Sequence, residues 1–69
     1  MIITGKHIRA ARAVCGLSIR ELASVSGVGA KSIWGFENGS DVRYMTLRSL
    51  IEVFDELDIE FMDKGVKWK

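Results

Sequence analysis

A chain of 69 residues, 48% hydrophobic and 28% charged, holds enough apolar matter for one core but not for two, and is globular in composition. One cysteine excludes an intrachain disulfide, and no Cys/His set has zinc spacing. No apolar run is long enough for a signal peptide or membrane span, so a reducing cytoplasm is the expected setting.

The net charge of +1 says little, but its layout says more. Residues 1–48 hold seven Lys/Arg against three acids, whereas residues 49–69 hold three lysines against six acids. A basic front suits phosphate and an acidic back avoids it. Thr4 or Gly5 can start a first helix on which Ile8, Ala11 and Cys15 share a face, and Gly16 stops it. His7 has no ligand cluster around it and is expected as an exposed first-turn residue. Cys15 reads as a small core residue, not a nucleophile.

Ser18 caps a second helix, and Glu21 three residues later completes a capping box. Leu22 and Ala23 turn inward, and Gly27 ends the helix after two turns. A third short helix begins at Gly29 or Ala30, with Ile33 and Phe36 apolar at i and i+3. Asn38-Gly39 ends it, since both residues tolerate the left-handed conformation of a helix stop. After a loop over residues 40–45, Thr46 caps a fourth helix with an apolar stripe of Leu47, Leu50, Ile51, Phe54 and Leu57.

In the tail, Ile59/Phe61 and Val66/Trp68 alternate with charged residues around Asp63-Lys64-Gly65, which is turn chemistry. This predicts a hairpin, or a single strand awaiting a partner. Its apolar side either folds back over the bundle or pairs with its copy across a dimer axis; the second is the favoured expectation.

The informative stretch is Leu17 to Gly39. Small Ala23 lets two helices approach, Gly27 permits a sharp turn, Val28 plugs the gap and Ile33 anchors the second helix from below. Those are the requirements of a helix-turn-helix. Leu17-Ser18, Glu21-Leu22-Ala23, Gly27-Val28, Ser32-Ile33 and Glu37-Asn38-Gly39, preceded by Ile8-Arg9 and Arg12, are jointly specific where any one alone is weak. On these residues the chain resembles the Cro and lambda-repressor-like (XRE) helix-turn-helix family of phage and bacterial regulators, over residues 4–58.

The resemblance implies an all-α fold: a compact bundle of four to five helices over residues 1–58, with the motif at 18–37. Residues 59–69 are then a short C-terminal strand or hairpin extension that can dimerise. It implies a DNA-binding transcriptional regulator, a repressor in the favoured reading. A homodimer would bind double-stranded DNA with recognition helix 29–37 in the major groove, without cofactor, metal or membrane.

The outward recognition positions map onto Ala30, Lys31, Trp34 and Gly35, with Ser32 beside them. Ser18 and Ile19 open the preceding helix, where Ile19 takes the place of a phosphate clamp. Asn38 and the loop with Arg43 match backbone contacts, and Arg12 with Glu37 matches a buried ion pair.

The chain departs from the family where Ile19 replaces a common glutamine and where Ala30 and Gly35 replace polar residues. Lys31 is left as the one strong base-edge donor, while Ala30 and Ile19 are suited to thymine methyls. Trp34 fits a groove-wall or backbone contact, a repacked core, or a protein partner. Gly35 costs a helix interior about 1 kcal/mol against alanine, for which close approach of DNA or of the next element competes with simple tolerance. The apolar reading face leaves a second reading open, a protein-binding adaptor of the same fold such as an antitoxin-like or anti-repressor partner. No general base, oxyanion arrangement or phosphate loop points to an enzyme.

Overall fold

The computed structural model describes residues 1–69. It orders them as α1 (Gly5–Cys15), α2 (Ile19–Ser26), α3 (Ala30–Glu37), α4 (Tyr44–Glu56), β1 (Ile59–Met62) and β2 (Gly65–Trp68). None of the helices is long and apolar enough to cross a membrane.

The first three helices follow their caps. In α1, Ile8 and Ala11 are fully buried and Cys15 half-buried, and Gly16 ends the helix. At the start of α2 the Ser18 hydroxyl accepts from the Glu21 N–H at 3.0 Å, while the Glu21 carboxylate accepts from the Ser18 N–H at 2.8 Å. Gly27 takes the left-handed conformation (φ 75°) that turns the chain, and the Ser26 hydroxyl accepts from the Val28 N–H at 3.1 Å across that turn. At the end of α3 only Gly39 is left-handed, at φ 104°; Asn38 stays at φ −107°.

The fourth helix departs from expectation at both ends. It begins at Tyr44, with Arg43 as its cap residue, so Thr46 lies inside the first turn. The Arg43 carbonyl receives the first helical bond, from Leu47 N–H at 3.1 Å. Val42, Thr46 and Leu47 are all half-buried here, so packing overrides the local capping preference of threonine. Leu50 and Phe54 are fully buried, and Leu47 and Val53 pack on the core, but Ile51 and Leu57 lie outside it. Leu57 is exposed because the chain leaves the helix there, through Asp58 at φ 64°.

The expected all-α architecture is corrected: the fold is mixed, four helices with a two-stranded antiparallel sheet. Ile59 pairs with Trp68 and Phe61 with Val66, which sets these four on one face of the hairpin. Ile59, Phe61 and Val66 of that face close the core, where Ile59 is 2% exposed and joins Ile8, Ala11, Leu22, Ile33, Leu50 and Phe54, while Trp68 stays exposed. With β1 against α4 and β2 against α1, the tail folds back over its own helices.

His7 is also corrected. It is buried, not exposed, because the hairpin covers the first turn of α1. The Thr4 N–H donates to Nδ1 at 3.1 Å, which leaves Nε2–H to donate to the Met62 carbonyl at 2.6 Å. The ring meets Phe61 edge-on, and Phe61 meets Phe54 in the same way.

Candidate functional site

The motif is held from behind by an ion pair. Glu37, at the end of α3, has a side chain only 1% exposed, and Arg12 of α1 grips it with two hydrogen bonds of 2.9 Å. Arg12 also donates to the Leu17 carbonyl at 3.0 Å, just before the cap of α2. One guanidinium thus ties α1 to both helices of the motif. The hydrogen bond to Glu37 raises the Arg12 pKa, outweighing the opposing cost of burial. Arg9 lies 3.9 Å from the same carboxylate.

Below the motif, Leu22 of α2 and Ile33 of α3 are fully buried, which fixes how α3 rolls. Lys31, Ser32 and Trp34 are exposed; Ala30 and Gly35 are half-buried. Trp34 is 59% exposed, so of the roles open to it the repacked core is excluded.

The other residues named from sequence divide by how free they are. The Ser18 hydroxyl is engaged in its cap. Ile19 is half-buried and packs against the core, which withdraws much of it from any ligand. The Asn38 amide donates back to the Trp34 carbonyl at 2.8 Å, bracing the end of α3. Ser32 shares a shallow groove of about 320 Å³ with Asp41, Val42, Arg43 and Thr46, which brings Arg43 beside the recognition candidate.

Sequence reasoning passed over Tyr44 and Arg48. The Arg48 guanidinium donates to the Tyr44 hydroxyl at 3.3 Å and lies 3.6 Å from Glu52, which raises its pKa, the tyrosine contact most of all. Both residues are exposed on α4, one turn apart, and Tyr44 directly follows Arg43. The i, i+4 spacing was the available signal. No three His, Cys, Asp or Glu side chains gather as a metal site would require.

No family model matches the chain, and no curated protein is significantly similar to it. The geometry and the residues themselves therefore carry the functional argument.

Proposed function

We propose that the chain is a sequence-specific binder of double-stranded DNA, a transcriptional regulator of the repressor kind acting in the cytoplasm, with α3 entering the major groove. The observation that carries this reading is the exposed outer side of α3, Lys31 and Trp34, on a helix locked from behind by Arg12–Glu37 and Ile33. A short helix with its N-terminal residues outward, reached through a tight turn from a capped helix, is the form that reads base edges.

Lys31 supplies a donor for guanine O6 and N7. Arg43, which shares a groove with Ser32, and Arg48 further along α4 supply backbone contacts. A homodimer suits two-fold operators, placing two copies of α3 about 34 Å apart on one face of the duplex.

The residues quoted from Leu17 to Gly39, with Arg12, support membership of the Cro and lambda-repressor-like family. Selection from a random duplex pool at physiological salt tests the reading: enrichment of a half-palindrome supports it. Weak, salt-sensitive retention without enrichment contradicts it.

Trp34 favours a second reading, that the same face docks a protein. An indole 59% exposed is a common anchor of protein interfaces. Trp34→Ala separates the two: loss of duplex binding favours DNA, whereas unchanged duplex binding favours the protein partner.

A further inference from the structure

Gly35 is a glycine the fold does not require. It lies within α3 and is not among the positive-φ glycines. A Cβ added there would meet only the Ser40 side chain, at 3.7 Å, which is ordinary contact. Gly5 differs sharply, for its added Cβ would sit 1.9 Å from the Phe36 carbonyl oxygen. Of the two structural reasons for a glycine, backbone conformation and crowding, neither applies at Gly35. Alanine would fit and would favour the helix.

What the glycine leaves out is one methyl group, the Cβ of alanine, with the Ser40 side chain beside it. Lys31 stands one turn before Gly35, and Trp34 adjoins it in sequence. In the major groove only one base edge carries a methyl group, the C5 methyl of thymine. Resting on the reading of α3 as a DNA-recognition helix, we propose that Gly35 is a specificity-determining residue whose missing side chain receives a thymine methyl.

A methyl exchanged between protein and DNA tests this. The duplex enriched from a random pool by the wild-type chain is remade with each thymine in turn replaced by deoxyuridine, and wild type and Gly35→Ala are titrated against the set. At one position wild type binds thymine about fourfold more tightly than uracil, the worth of one buried methyl. Gly35→Ala reverses that preference, because its added methyl fills the space that uracil leaves. Its melting temperature equals or exceeds that of wild type.

The proposal is overturned if uracil is silent at every position, if Gly35→Ala keeps the thymine preference, or if Gly35→Ala melts lower. In those cases DNA binding stands. If the pool yields no enriched duplex, the DNA reading falls and this proposal falls with it.

Discussion

Arg12 and Glu37 meet through two hydrogen bonds of 2.9 Å, from Nε to Oε2 and from Nη2 to Oε1, although 25 residues separate them in the chain. This fork joins the first helix to the end of the third, and Arg12 reaches on to the Leu17 carbonyl. Replacing Arg12 by alanine strands a carboxylate whose side chain is 1% exposed, with only Arg9, at 3.9 Å, for a counter-charge. A cost of about 3–5 kcal/mol is expected, since an uncompensated buried charge is the dominant loss. Urea unfolding of Arg12→Ala against wild type measures it; a difference under about 1 kcal/mol contradicts the assigned role.

His7 clasps the hairpin to the start of α1. Phenylalanine keeps the bulk of the ring but leaves the Met62 carbonyl and the Thr4 N–H without their partner. His7→Phe should lose about 1–3 kcal/mol. Amide exchange of the hairpin should quicken more than that of α2 and α3. Uniform quickening across the chain would mean that the clasp is not local.

The capping box makes α2 sensitive to acid. The Ser18 N–H, and after it the Ser18 hydroxyl, holds the Glu21 carboxyl below the usual glutamate range. A carboxyl lowered on folding contributes stability that is complete above its unfolded value, about 4.3, and is lost as pH falls through the folded value. An NMR titration should therefore place the Glu21 midpoint below that of a free glutamate. Ser18→Ala should move it upward.

The first turn of α1 lies directly on the backbone of α3. A methyl group on Gly5 would strike the Phe36 carbonyl oxygen, which cannot swing aside as a side chain would. Gly5→Ala should cost about 1–3 kcal/mol or more, read as a lower melting temperature. An unchanged melting temperature would show that α1 and α3 are not in such close contact.

Much of the helical architecture was legible because its signals are local. Ser18 with Glu21, Gly16, Gly27 and Gly39 each set a boundary from within a few residues. What sequence missed depends on the hairpin and the packing it imposes. The burial of His7 follows from Met62 lying over it, 55 residues on. The error of fold class has the same origin: alternation in the tail predicted a hairpin, but nothing local showed that Ile59 would complete the core. Thr46 misled because packing at Leu47 and Leu50 started α4 nearly a full turn early. At the candidate site, the outward place of Lys31 and Trp34 was implied by the family resemblance and not by any local signal, and Ala30 and Gly35, implied with them, are only half-exposed. The inward packing of Ile19 and the return of the Asn38 amide onto its own helix were implied by neither.

The central claim is that Lys31 on α3 reads a base, and parallel selections from one random duplex pool with wild type, Lys31→Ala and Arg43→Ala test it most directly. Lys31→Ala should enrich a motif relaxed at one position, where a guanine contact is worth about 1–3 kcal/mol. Arg43→Ala should keep the wild-type motif and bind all sequences more weakly, with a shallower dependence on salt. The same motif from Lys31→Ala as from wild type, or no motif from either, would contradict the claim.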